Sequence, residues 1–134
     1  MTKQIINMAA TEALYTTLGI SEAVRVGSSI YISGQVGWDD KMVPAATFDA
    51  QVRLAFSNMA SVLEKAGTSF ESIVDLKMFL VPQPNITLME MVDLAFSIKC
   101  ELFPDNICAA TAIGIGSLVM PELMLECAAT AHIA

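Results

Sequence analysis

Apolar residues recur at two different periods along the chain, and the switches between those periods mark out its elements. Between Thr47 and Gly67, the residues Val52, Ala55, Phe56, Met59, Leu63 and Ala66 fall on one face at helical spacing. Gln51, Arg53, Asn58, Ser61 and Lys65 lie mostly elsewhere. Thr47 can cap free N–H groups, Asp49 suits the positive end of a helix, and Gly67 is a natural stop. A second stripe of Leu88, Met91, Val92, Ala95 and Phe96 predicts a helix from about Thr87 to Leu102, closed by Pro104. Between the helices, Asp75 and Lys77 alternate with Val74, Leu76 and Met78, which predicts a strand over 73–81 with one wetter face. Pro82 and Pro84 end it.

Nearer the N-terminus, Ala23–Val26 and Ile30–Gly34 read as short strands around a Gly27-Ser28-Ser29 turn, and Trp38–Pro44 as a polar loop. The C-terminal part predicts two more strands, 109–116 and 123–133. The first lies in an uncharged stretch from Asn106 to Pro121 and is expected to be a buried strand entering a hairpin. That stretch is interrupted by Gly114 and Gly116, lacks a basic flank and is too short for a membrane span. The order β-β-α-β-α-β-β predicts an α/β (α+β) class, with one sheet carrying both helices on one face. The other face then needs a cover. In a chain of 134 residues of which 54% are apolar, neighbouring subunits are the expected cover. One domain over residues 1–134 is expected.

Charge narrows the partners. Fourteen acidic residues against seven basic ones give a net charge of −7. The arginines are Arg25 and Arg53, so no basic cluster exists to hold phosphate backbones or anionic lipid, and neither nucleic acid nor membrane is an expected partner. Three cysteines without a secretory signal point to a reducing cytoplasm. There is no C-x-x-C pair, and His132 is the one histidine, so neither a metal site nor a cofactor is expected.

Few residues offer chemistry. Glu126 sits in the apolar run Leu123–Ala129, where a carboxylate is costly unless paired. It reads as a general acid/base that positions a water, or as one half of an ion pair with Lys77, or as part of a strand facing solvent. Ser33 and Gly34 close a strand; the glycine either lets a ligand approach the backbone or serves a bulge or turn. Cys108 and Cys127 read as small core residues, and the nine methionines as core and interface filler or an adaptable pocket lining.

The run Ile32-Ser33-Gly34-Gln35, the helix start Gln51-Val52-Arg53, Asn58, the Ala66-Gly67 stop, Ile73-Val74-Asp75 and Glu126 together resemble the RidA/YjgF family, over nearly the whole chain. Val52–Phe56 and Thr111-Ala112-x-Gly114 are similar to a divergent YjgH-like branch. The resemblance implies a chorismate-mutase-like fold, one mixed sheet and a homotrimer with small molecules bound between subunits. It implies hydrolytic deamination of reactive enamines and imines; older family names speak of ribonuclease activity, which the −7 charge opposes. It also implies site positions: Glu126 as the catalytic acidic residue, and Ile20, Ser33, Gly34 and Ala110 around the substrate. Active members carry a carboxylate-gripping arginine where this chain has Ala110 by one alignment and Asn106 by another. They carry a tyrosine where this chain has Ile20. The expected substrate is therefore less anionic or more apolar than an imino acid. The alternative is a non-catalytic metabolite-binding or regulatory trimer.

Overall fold

The last strand of the chain forms the middle of the sheet. The structure, a computed structural model, describes residues 2–134. Its six strands are β1 (Lys3–Ile6), β2 (Ala23–Val26), β3 (Ser29–Val36), β4 (Ile73–Leu80), β5 (Ala109–Gly114) and β6 (Leu125–His132). They lie in the order β1-β2-β3-β6-β4-β5, all antiparallel except the parallel pair β4 and β5. Three helices accompany them: α1 (Glu12–Leu18), α2 (Phe48–Lys65) and α3 (Leu88–Leu102).

The two long helices follow their sequence signals. The Thr47 side chain accepts from the Ala50 N–H at 3.2 Å, and Gly67 turns the chain away from α2 at φ +90°. Thr87 and Glu90 form a reciprocal capping box at the start of α3. The stripes of α2 and α3 bury Val52, Phe56, Met59, Met91 and Ala95 against Leu76, Met78, Leu125 and Cys127 of the sheet. Phe56 meets Phe70 and Phe103 edge-on, at centroid distances of 5.8 and 6.4 Å.

Two features depart from the sequence reading. Residues 3–18 supply an extra strand and helix that the hydrophobic pattern did not predict. Helix α1 buries none of its residues, and Leu14 and Leu18 are exposed, so it has no apolar stripe to detect. The expected buried hairpin at 109–133 is not formed. β5 is an exposed edge strand bonded to β4 alone, while β6 crosses to the gap between β3 and β4. An uncharged sequence suggested burial; Ala109, Ala110 and Thr111 are simply small residues on an edge.

Gln51 fixes the start of β6. It is wholly buried, and its amide nitrogen donates to the carbonyls of Ala45 (2.9 Å) and Glu122 (2.8 Å), while its oxygen accepts from the Met124 N–H (2.8 Å). Gln51→Leu would strand these three backbone groups. It should cost about 2–5 kcal/mol, counting a few lost hydrogen bonds and the desolvation of unpaired groups. Urea unfolding measures this; a cost below half a kcal/mol would show that the clamp is dispensable.

Candidate functional site

Strand alternation places the candidate residues. On the sheet face away from α2 and α3, one cross-strand row reads Ile5, Val24, Tyr31, Thr130, Asp75. The row nearer the other end reads Val36, Glu126, Phe79, Ile113. On the helix side, Ile32, Ala129, Leu76 and Ala110 share a row. Glu126 and Ala110 therefore stand on opposite faces of the sheet. Ala110 is exposed only because β5 lies at the edge.

The open face forms a trough of about 760 Å³. Ile20 and Ser33 line it, with Ile5, Val24, Tyr31 and Ala128. Ile20 is half-exposed. The Ser33 hydroxyl donates to the Ser21 carbonyl at 2.6 Å, and its N–H to the Glu22 carbonyl at 2.8 Å, so its polar groups serve the backbone.

Register shifts between Ile32 and Gln35, so Ser33 and Gly34 form a bulge beside β6. The carboxyl group of Glu126 lies against Gly34: a Cβ added there would come within 2.5 Å of its Cδ. Gly34 is thus needed for close approach. Among the described residues, Glu126 has no ion pair: Lys77 pairs instead with Asp75 at 2.8 Å, and the other bridges join Arg53 to Asp49 and Glu101. Burial against apolar neighbours pushes the Glu126 carboxyl above its ordinary value of 4.5.

Three residues gain importance only in the structure. Glu22 is buried, and its carboxylate accepts from the Thr11 hydroxyl and, at 2.7 Å, from the Gln35 amide. Both donors are neutral. Gln35, at the end of the Ser-Gly-Gln run, thereby ties the bulge to the segment before β2. Tyr15 of α1 feels both acids: burial, then Glu22, then Glu126 raise its phenol to about 12. Nothing in the periodicity marked Tyr15, because α1 itself was not foreseen.

Asn106 turns inward. It is buried, and its amide nitrogen donates to the carbonyls of Phe70 (3.2 Å) and Ile73 (3.1 Å), while its own backbone carbonyl accepts from the Lys99 ammonium at 3.0 Å. Cys127 is buried, with its thiol pushed up to about 12; Cys108 is half-buried and also raised by desolvation. No group of three or more His, Cys, Asp or Glu side chains that could hold a metal ion occurs among the described residues, and no helix is long and apolar enough to cross a membrane.

A mixed six-stranded sheet with its long helices on one face and an unpaired carboxylate on the other defines an α+β protein of the chorismate-mutase-like type. The profile of the Endoribonuclease L-PSP family matches residues 10–133, and the chain belongs to that family, the RidA/YjgF proteins. It is 39% identical over 95 residues to the RutC family protein YjgH of Escherichia coli K12, covering 71% of this chain and 69% of that one. It is 35% identical over 110 residues to the 2-iminobutanoate/2-iminopropanoate deaminase of Dermatophagoides farinae, covering 76% and 85%. A solved structure of YjgH superposes with a TM-score of 0.81 at 29% identity, covering 99% of this chain and 98% of that one.

Two consequences follow from the contact of Glu126 with Gly34. Gly34→Ala should fold normally, since only the end of a flexible side chain must move, but the Glu126 carboxyl should be displaced; a crystal structure of the variant checks this. An acid whose folded-state value is raised stabilises the fold below its ordinary value, and that contribution is lost as pH rises through the raised one. Glu126→Gln should therefore match the parent below pH 4.5 and gain on it above that. Melting temperatures across the acid range decide this; a variant that falls steadily behind as pH rises would contradict the desolvation of Glu126.

Proposed function

We propose that this protein hydrolyses a small imine or enamine that lacks a free carboxylate, in a cleft completed by other copies of the chain. The observation that carries the reading is Glu126, a half-buried carboxylate without an ion pair, set against the bare backbone of Gly34. In this reading Glu126 takes a proton from a water whose oxygen attacks the C=N carbon. The nitrogen takes up protons, the carbon–nitrogen bond breaks, and ammonia and a carbonyl compound leave. A carboxyl raised by burial is a better base for this step than one in water. The deaminase of Dermatophagoides farinae supports the reaction type.

Substrate class follows from the charges. Neither Ala110 nor the inward-turned Asn106 offers a cation for a carboxylate. Glu126 and the buried Glu22 are acidic, while Lys3, Lys77 and Asp75 line the trough, Lys77 paired to Asp75, so no guanidinium is at hand for a bidentate carboxylate grip. Ile20, Ser33, Gly34 and Glu126 form this chain's part of the cleft, and Ala110, at the free edge of β5, is a position for a neighbouring copy to present. The lack of an arginine also favours a second reading, a trimer that binds a metabolite without turning it over.

A homotrimer is expected, because the open face exposes Ile5, Tyr31 and Ile113. Light scattering checks it, and a monomer at micromolar concentration would sink the inter-subunit cleft. Ammonia release tests the chemistry. A carboxylate-free imine generated in solution should be hydrolysed by the parent and not by Glu126→Gln, with the assembly intact. 2-Iminopropanoate should react slower than with an arginine-bearing relative by about one to two orders of magnitude, the equivalent of one charged hydrogen bond. Undiminished release by Glu126→Gln would overturn the assignment, whereas binding without release would select the second reading.

A further inference from the structure

We propose that a second cavity, between α2, the segment before α1 and the loop after β3, binds a small organic ammonium ion. It holds about 150 Å³, shares no lining residue with the trough, and is independent of the proposed reaction. Glu22, Trp38, Asp39 and Asp40 line it, and among the described residues no lysine or arginine does. Lys41, next along the loop, is exposed and lies outside the lining. Glu22 is the key to the site, because it is only 3% exposed. Both of its oxygens act as acceptors, one from the Thr11 hydroxyl and one from the Gln35 amide, and no salt bridge among the described residues reaches it. A carboxylate has about four acceptor positions, so half of that capacity is unused in a residue that lines the cavity. A buried charge met only by neutral donors is costly, and a bound cation offsets the cost.

The walls are fixed in advance of any ligand. The Asn58 amide nitrogen donates to the carbonyls of Val36 and Trp38, each at 2.9 Å, and Trp38 bridges to Pro44 across the loop. One Asp39 oxygen accepts from the N–H groups of Lys41 (2.9 Å) and Val43 (3.0 Å), which sets the turn. The Gln35 amide nitrogen also donates to the Ser33 carbonyl at 3.1 Å, so it faces Glu22 as a donor. The ligand class follows from this lining. An indole beside carboxylates attracts an organic ammonium, through its ring face and through charge. No group of three or more His, Cys, Asp or Glu among the described residues could hold a metal ion, whereas an ammonium needs fewer acceptors. The volume is below the roughly 300–1,000 Å³ of sites for drug-sized ligands, which limits the alkyl part to a few carbons.

Trp38 is the single tryptophan of the chain, so its fluorescence reports on this cavity alone. Ethylammonium chloride is titrated into the intact protein, with sodium chloride holding the ionic strength constant. Ethylammonium should change the emission saturably and raise the melting temperature. Ethanol, which has the same size without the charge, and sodium chloride alone should do neither. Glu22→Gln should weaken ethylammonium binding by about tenfold or more, as for the loss of a charged hydrogen bond. Because Glu22 also braces the bulge, Ser61→Leu provides a second variant: it reaches into the cavity from an exposed position on α2 and leaves the bonds of Glu22 alone. It should abolish ethylammonium binding without lowering the melting temperature, and it decides the matter if Glu22→Gln does not fold. A response that sodium chloride or ethanol reproduces overturns the inference. So does the absence of saturation, or ethylammonium binding that survives Ser61→Leu unchanged. The ammonia assay with Glu126→Gln bears on the reaction and not on this cavity.

Discussion

The sheet depends on β6 being inserted between β3 and β4. Both of its edges are occupied: Ala129 pairs with Ile32 on one side and Leu76 on the other, and Glu126 with Val36 and Phe79. Until the last residues arrive, β3 and β4 have no common neighbour, and the apolar faces of α2 and α3 have half a sheet to pack on. The parity of β6 is then strict. Leu125, Cys127, Ala129 and Ala131 are buried under the helices, which turns Glu126 and Ala128 to the open side. A slip of one residue would place a carboxylate in the core and four apolar side chains outside it. Gln51 guards against that slip by holding the backbone of Glu122 and Met124 just before the strand begins.

The bulge at Ser33 and Gly34 opens the space beside this carboxylate. An unbroken ladder would set a side chain beside Glu126; the bulge sets bare backbone there instead. Bulges need support, and this one has it: Ser33 is bonded through both its hydroxyl and its N–H to residues 21 and 22, and the Gln35 amide to the Glu22 carboxylate. The buried acid Glu22 is thus a structural brace as well as a source of negative potential. Its oxygens are met by two neutral donors, the Thr11 hydroxyl and the Gln35 amide.

The sequence was legible where packing leaves a period. The stripe of α2, from Val52 to Leu63, and the alternation of β4 each report a buried face, and both elements lie where their patterns put them. The caps at Thr47 and Thr87 bound their helices for the same local reason. The N-terminal helix left no such trace, because α1 buries none of its residues. Sheet order was also hidden: neighbouring strands in sequence suggest a hairpin, and no local signal says that β6 passes β5 to reach the centre. At the site, the oddity of Glu126 in an apolar strand was visible, and so was its possible partner Lys77. That Lys77 turns to Asp75 could not be seen, since two residues on one strand face compete with a neighbour at equal reach. Tyr15 was missed because its meaning comes from two acids distant in sequence.

Asn106 connects the end of α3 to the start of β4. Its amide joins the turn at Phe70 to the start of β4, and its backbone carbonyl holds the buried ammonium of Lys99. Its side-chain oxygen is left without a partner, a modest cost set against the three carbonyls of Phe70, Glu71 and Ile73 that its nitrogen meets. An arginine at this place could not do the same work. Its guanidinium is too long for the buried space and would have to leave it, abandoning the carbonyls of Phe70 and Ile73. Fitting the asparagine inside and projecting a cation outward are therefore mutually exclusive uses of one position. With its amide turned inward, Asn106 offers no cation at that point; the cations by the open face are Lys3 and Lys77, which line the trough, Lys77 paired to Asp75. The inward packing of Asn106 thus settles the local use of this position, as a tie between the Phe70 turn and β4.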